Sequence, residues 1–123
     1  MTDFTASYDA FAAEVRDRGT RDGGLLAVFC DDAGRLLLPV EFDEGTSCVD
    51  ELFLRYLVAV ICDIALPAVV LAVARRSGRP ARIDRALWRE LSSRLSGGPT
   101  RLVDLLVVGS DGWWSATAGK LAA

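Results

Sequence analysis

The run AVVLAVA at positions 68–74 constrains the fold of this chain more than any other feature of its sequence. It is short, uncharged and rich in β-branched residues, and Pro67 separates it from the apolar run that precedes it. Apolar residues at every position, rather than at alternate ones, are typical of an interior strand that is covered on both faces. The run therefore predicts an α/β domain, in which helices pack on a central sheet.

The apolar segment 52–74 has the length of a membrane-spanning helix, but Arg55, Asp63 and Pro67 interrupt it. Its longest uncharged part reaches only about half of the ~20 residues that a span needs. We therefore expect a buried helix followed by a buried strand, and no membrane partner. The N-terminal sequence MTDFTASYDAF lacks the basic and apolar regions of a secretory signal, so we expect a cytoplasmic protein.

Turn signals and hydrophobic periodicity divide the chain into alternating elements. We expect helices at 5–18, 48–65 and 83–95, and strands at 25–30, 35–42, 68–74, 101–109 and 113–117. The second helix is apolar nearly all round, so we expect it to be the most buried of the three, with Ser47 as its cap. The prediction is a mixed central β-sheet flanked by helices, in the order α-β-β-α-β-α-β-β.

A chain of 123 residues suggests a single domain. Hydrophobic residues make up 51% of it and charged residues 25%, which is a globular balance rather than a disordered one. We expect the helix within 1–21 to pack on a domain at 22–119, with a tail at 120–123.

The chain has no histidine, which excludes a Ser-His-Asp triad, a Cys-His dyad and a histidine-ligated metal. The three cysteines, Cys30, Cys48 and Cys62, are too widely spaced for a Cys-x-x-Cys metal site, and we expect thiols in a reducing cytoplasm. Cys48 lies at a predicted helix start, but nothing nearby completes a nucleophilic site. We expect no catalytic residue, metal or cofactor.

A basic segment, ARRSGRPARID at 74–84, follows the predicted interior strand and leads into a helix. Guanidinium groups bind phosphates and carboxylates with two hydrogen bonds, and helix N-termini favour anions. One hypothesis is an anion site formed by Arg75, Arg76, Ser77, Gly78, Arg79, Arg82 and Asp84. The alternative is a solvated loop whose arginines, Arg85 included, pair with acids such as Asp84 and Glu90. A net charge of −3 argues against a wholly basic nucleic-acid-binding domain.

The order of elements and three local motifs resemble the RadC-like branch of the JAB/MPN metalloprotease superfamily, over roughly residues 22–117. The motifs are the hairpin LLAVFCDDAGRLLLPVEF, the Ser77-Gly78 loop with Asp84, and the late segment LVDLLVVGSDGWWSA. In that family two loop histidines and an aspartate bind zinc, and a glutamate near the first strand acts as general base. The resemblance implies the JAB/MPN fold for this chain.

The metal ligands of that family are largely absent here. Aligned on Ser77-Gly78, the histidine positions hold Val73 and Arg75, and the glutamate would fall near Gly23 or Gly24. Only Asp84 keeps the identity of a ligand. One oxygen ligand cannot hold a catalytic zinc ion, which needs about three protein ligands. The resemblance therefore implies a metal-free domain without protease activity.

We expect such a domain to act as a protein-interaction or scaffolding module, with another protein or a second copy of itself as partner. Pro39 cannot donate a ladder hydrogen bond, so its strand should lie at a sheet edge or carry a bulge. Trp113 and Trp114 must face opposite ways on one strand, and we expect one of them to be exposed at an interface. The alternative function is an anion- or nucleotide-phosphate-binding protein that uses the loop at 75–85.

Overall fold

The computed structural model describes residues 8–20, 22–42 and 50–122. The elements in chain order are α1 Tyr8–Asp17, β1 Leu25–Cys30, β2 Leu36–Phe42, α2 Glu51–Ile64, β3 Ala68–Ala74, α3 Arg82–Leu95, β4 Arg101–Gly109, β5 Gly112–Ser115 and β6 Lys120–Ala122. The eight predicted elements are present, and β6 extends the sheet where a tail was expected. Ser47 and Cys48 lie outside the described residues, and the observed cap of α2 is Asp50, whose carboxylate accepts the Phe53 N–H at 2.8 Å.

The strands form one mixed sheet in the order β2-β1-β3-β4-β5-β6. β3 and β4 are parallel and joined by α3, whereas the other neighbouring strands are antiparallel. Every residue of β3 is buried, as the uninterrupted apolar run predicts for an interior strand. The predicted α/β class with a mixed sheet is confirmed.

Helices cover both faces of the sheet, and the two faces of β3 differ in side-chain size. Leu71 and Val73 belong to the apolar cluster under α2 and α3, together with Phe29 and Leu105. The small side chains of β3, such as Ala72, belong to the cluster under α1. Small residues allow α1 to lie close to the sheet, so a single short helix fills that side of the core.

The expectation that the second helix is the most buried one is wrong. α2 buries one face only, through Phe53, Leu54, Leu57 and Ile61. On its outer face Leu52 is 78% exposed. α2 lies beside α3, and Glu51 of α2 accepts hydrogen bonds from Arg94 of α3 at 2.7 and 2.8 Å. One side of α2 therefore faces α3, and another side faces the sheet. On the remaining side Leu52 and Tyr56 stay more than half exposed.

The expectation that one of the two adjacent tryptophans is exposed is also wrong. Trp113 and Trp114 face opposite sides of the sheet, as predicted, but they are only 8% and 5% exposed. Tyr8 of α1 stacks edge-on against Trp113 at 5.5 Å, and Asp9 accepts its indole N–H at 2.8 Å. Arg85 of α3 lies 5.1 Å from the ring of Trp114. Helices on both faces therefore remove the two rings from the surface.

Pro39 lies on β2, which pairs with β1 alone and forms an edge of the sheet. The prediction of an edge strand is confirmed, and the register also shifts between Phe29 and Cys30. Because proline has no N–H, this edge cannot offer an unbroken row of donors to another strand. The side chains of β2 are mostly exposed, in contrast with those of β1.

Candidate functional site

The arginine segment forms the loop between β3 and α3, at the carboxyl ends of the parallel strands β3 and β4. Ligands of open α/β sheets usually bind in a crevice at this edge. Here the backbone of the loop stays close to the sheet: the Arg75 N–H donates to the carbonyl oxygen of Val108 at 2.9 Å. At its N-terminal end, the segment therefore continues the sheet and does not project into solvent.

The loop is packed directly on the turn between β4 and β5, and two glycines make this approach possible. A methyl group at Gly109 would overlap the backbone of Ser77, and one at Gly78 would overlap the backbone of Gly112. The Gly78 N–H also donates to the Asp111 carboxylate at 2.7 Å. Backbone from the two loops thus fills the space between them at the strand ends.

Arg75 and Asp84 form a buried ion pair at the base of the loop. Arg75 Nε lies 3.1 Å from Asp84 Oδ2, and Arg75 Nη2 lies 2.5 Å from Asp84 Oδ1. The Asp84 side chain is fully buried and that of Arg75 is 16% exposed. Asp84 Oδ2 also accepts the Ala81 N–H at 2.8 Å, at the start of α3. Both carboxylate oxygens are therefore used to fix the loop to the helix.

The other arginines of the loop point their charge outward. Arg76, Arg79 and Arg82 are exposed, and none of the ion pairs within the described ranges involves them. Arg85 stacks on Trp114, which is a cation–π contact. The structure thus divides the residues proposed for an anion site into two groups. The first group holds the loop in place and comprises Arg75, Ser77, Gly78 and Asp84. The second group, the three exposed arginines, can meet a ligand.

Glu90, the other acid named as a partner for these arginines, lies too far along α3. It pairs with Arg94 at 3.4 Å instead, in a contact between neighbouring turns of the helix. The solvated-loop alternative therefore identifies one correct partner, Asp84, but the pair that Asp84 forms is buried rather than solvated.

The residues that align with the zinc ligands of JAB/MPN proteins do not fit a zinc ion. Val73 is fully buried in the apolar cluster, and Arg75 places a positive charge where a second ligand would be. Both oxygens of Asp84 are already bound to hydrogen-bond donors. Over residues 8–20, 22–42 and 50–122, no three metal-binding side chains come together.

The described cysteines offer no activated nucleophile. Burial, followed by the nearby charge of Asp31, raises the pKa of the Cys30 thiol to about 11. A thiol with that pKa is protonated at neutral pH and reacts slowly. Cys62 on α2 is half-buried, neither of these two cysteines forms a disulfide, and Cys48 lies outside the described residues.

A buried polar cluster around Asp104 was missed in the sequence. Asp104 is fully buried in β4. It accepts hydrogen bonds from the Leu105 N–H at 2.8 Å, Ser115 Oγ at 2.5 Å, and Thr117 N and Oγ1 at 3.1 and 2.8 Å. The sequence carried a signal for this cluster, because Asp104 is a single acid inside the apolar run LVDLLVVG. A buried carboxylate requires hydrogen-bond partners. Thr117 connects this cluster to a cleft beside α3.

Within the described part of the chain, no helix combines the length and the apolar character that crossing a membrane demands.

No protein-family model matches the sequence, and a search of curated proteins likewise finds no match.

Proposed function

We propose that this chain is a metal-free, non-catalytic JAB-like domain of the RadC type that acts in the cytoplasm as an interaction module and associates with a second copy of itself. The observation that carries the proposal is an exposed apolar surface on β2 and α2. Its members, called the apolar surface below, are Leu38, Leu52 and Tyr56.

These three side chains are between 40% and 78% exposed in the single chain, and Leu38 faces the α2 side of the sheet because it pairs with Phe29. Tyr56 contacts Phe42 of β2 edge-on, with ring centroids 5.9 Å apart, so the outer side of α2 adjoins the edge strand. Scattered exposed leucines are ordinary, but a group of large apolar side chains on adjoining elements favours association because burial removes them from water.

A second copy of the chain is the partner that we favour. Two copies related by a twofold axis can bury the same surface on each side, and homodimers are the commonest soluble oligomers. Because Pro39 interrupts the row of donors on β2, association would rest on side-chain packing rather than on a continuous ladder between edges. The alternative to be tested is that a different protein covers the same surface.

We expect the protein to be dimeric at micromolar concentrations, as measured by size-exclusion chromatography with light scattering. The double variant Leu38→Lys/Leu52→Lys should elute as a monomer, because two charges per copy would have to be buried in the interface. Both side chains are exposed, so the variant should keep its fold.

Ala10→Lys/Ala13→Lys on α1 is the matched control, because it adds the same charge to exposed positions on the opposite face of the sheet. It should remain dimeric. A strictly monomeric parent protein, or loss of the dimer in both double variants, would count against self-association through the apolar surface. Stoichiometric zinc in the purified protein would overturn the metal-free part of the proposal.

A second candidate function is the binding of a phosphate-bearing anion by Arg76, Arg79 and Arg82. The supporting observation is that these three guanidinium groups are exposed and form no ion pair with described residues. Guanidinium groups bind phosphate oxygens in pairs, so a polyphosphate or nucleotide could bridge them.

For this candidate we expect tripolyphosphate to raise the melting temperature. At ten times Kd the stabilisation is about 1.4 kcal/mol. The triple variant Arg76→Ala/Arg79→Ala/Arg82→Ala should lose it. Arg18→Ala/Arg35→Ala/Arg89→Ala removes the same charge from other exposed positions and should keep the response. An equal response from both triple variants would show that the anion recognises only overall charge.

A further inference from the structure

Positive charge is concentrated in one short segment of this acidic chain. Positions 75–94 hold seven of its 14 basic residues and two of its 17 acidic ones, which gives the segment a net charge of +5. The other seven basic and 15 acidic residues give the rest of the chain a net charge of −8. The molecule can therefore attract an anion at one surface, although its overall charge is −3.

The two acids of this segment are already paired, and they neutralise two of its seven arginines. Asp84 pairs with Arg75 in the buried contact at the base of the loop, and Glu90 pairs with Arg94. The other five arginines are exposed, and no ion pair among residues 8–20, 22–42 and 50–122 involves them. These five residues, called the basic face below, are Arg76, Arg79, Arg82, Arg85 and Arg89.

The helical part of the basic face lies on one side of α3. Arg82, Arg85 and Arg89 follow one another at intervals of three and four positions, so their side chains leave the helix in similar directions. Arg85 lies over the ring of Trp114, which places this side of the helix above β5. Glu90 lies on the flank that faces α2, where its partner arginine also contacts that helix. The side of α3 that carries the three arginines thus has no acidic residue.

The basic face is elongated, and its charge is not confined to one point. A helical rise of 1.5 Å per residue separates Arg82 from Arg89 by about 10 Å along the axis. Arg76 and Arg79 lie in the loop that leads into the same helix. Each guanidinium group can bind two phosphate oxygens. A row of five such groups can therefore contact several phosphates of one extended partner.

The surroundings of the basic face favour a phosphate polymer over a membrane or a folded protein. The large apolar side chains that the described residues expose lie on β2 and α2, not beside these arginines. Helices that bind membrane surfaces insert apolar side chains among the lipids, and protein interfaces centre on apolar or aromatic anchors. A nucleic acid needs neither, because its phosphates are closely spaced and binding without sequence preference rests on charge.

We infer that the basic face binds the phosphate backbone of double-stranded DNA without sequence preference. The acidic rest of the chain is repelled by the same backbone, so the charge distribution orients the molecule as it approaches. The inference rests on the second candidate function for three of the arginines, and it adds Arg85, Arg89 and a polymeric partner. It is separate from self-association, because the apolar surface lies on other elements.

The test is fluorescence anisotropy of two labelled DNA duplexes of unrelated sequence, titrated with the full-length protein. We expect equal affinity for both duplexes, with a Kd of roughly 1–100 µM at physiological salt. Five phosphate contacts predict a slope of about −4.5 for log K against log salt concentration, so affinity should fall roughly 500-fold between 50 and 200 mM salt. Absence of binding at 50 mM salt, or an affinity that does not change with salt, would contradict the inference.

Arg89→Ala tests a part of the basic face that the second candidate function does not use. It should reduce the slope to about −3.6 and weaken binding to both duplexes alike, because one phosphate contact is lost. Arg35→Ala is the matched control, since Arg35 is exposed beyond the end of β1 that pairs with the start of β3, away from the arginine loop. It should bind DNA as the parent protein does. Equal weakening in the two variants would show that only the net charge matters.

Tripolyphosphate separates this inference from the second candidate function. Arg89→Ala should keep the rise in melting temperature with tripolyphosphate, because Arg76, Arg79 and Arg82 remain. A parent protein that responds to tripolyphosphate but does not bind DNA would contradict the inference alone, whereas loss of both responses would contradict both. Phosphatidylserine vesicles and poly-L-glutamate represent the other anionic partners. Binding to either that equals or exceeds the binding to DNA would overturn the assignment of a nucleic acid.

Discussion

Replacing Arg75 with leucine should destabilise the fold by about 3–5 kcal/mol, because it leaves a buried carboxylate without its counter-charge. The carboxylate is that of Asp84, which is fully buried and held by two contacts with the guanidinium group. The expected result is a large fall in the urea midpoint at pH 7, with an unchanged slope of the transition.

The double variant Arg75→Leu/Asp84→Asn should recover a good part of that loss. It removes both charges, and the asparagine oxygen can still accept the Ala81 N–H at the start of α3. Arg35→Leu is the surface control, because Arg35 is 82% exposed and pairs with Asp31. Its effect should stay below about 1 kcal/mol. Similar losses for Arg75→Leu and Arg35→Leu would show that burial adds nothing to the Arg75 pair.

Replacing Gly109 with alanine should destabilise the protein by about 3 kcal/mol, the upper part of the range for overpacking. The added methyl group would overlap the backbone of Ser77 and Gly78, and backbone cannot move aside as a flexible side chain can. The arginine loop would have to separate from the turn between β4 and β5. Thermal or urea unfolding measures the loss, and the signals of residues 75–80 should shift most in an NMR spectrum.

Gly98→Ala is the control for this substitution, because the nearest atom that its methyl group would meet is the Leu95 carbonyl oxygen at 3.3 Å. Its effect should remain below about 1 kcal/mol. Gly78→Ala should resemble Gly109→Ala, since it brings a methyl group into the same contact from the other side. If Gly109→Ala and Gly98→Ala were equally stable, the close approach of the two loops would be disproved.

The strands were the most predictable part of the fold. The bounds predicted for β1, β3 and β4 match the observed ones, because each run is apolar and ends at a glycine, a proline or a turn signal. Pro39 also predicted an edge strand correctly, since a missing N–H has a direct consequence for pairing. In these cases the residues that determine the feature lie within a few positions of it in the sequence.

The degree of burial was less predictable, because it depends on which elements become neighbours. The apolar composition of α2 suggested a central position, yet Leu52 and Tyr56 remain exposed. The two adjacent tryptophans suggested one exposed ring, but α1 covers one of them and α3 the other. Alternation along a strand predicts opposite faces, and only the arrangement of helices decides whether both faces are covered.

The sequence predicted which residues belong to the candidate site. It did not predict which of them hold the loop in place and which remain exposed. All five loop arginines have the same chemistry in the sequence, and only the fold places Arg75 against Asp84 and leaves Arg76, Arg79 and Arg82 in water. The cleft beside α3 could not be predicted at all, because Trp88, Thr100 and Thr117 come from separate parts of the chain and form no motif.

The pairing of β1 has a consequence for how this chain is made. β1 pairs with β2, which follows it at once, and with β3, which is synthesised only after α2. On the ribosome the β1–β2 hairpin can therefore form early, whereas the other edge of β1 stays unpaired until β3 is synthesised. All six residues of β1 are buried in the finished protein, so the nascent chain exposes an apolar edge during that interval. Folding should therefore be slower than that of a helical bundle of the same length, because β1 must pair with a strand far along the chain.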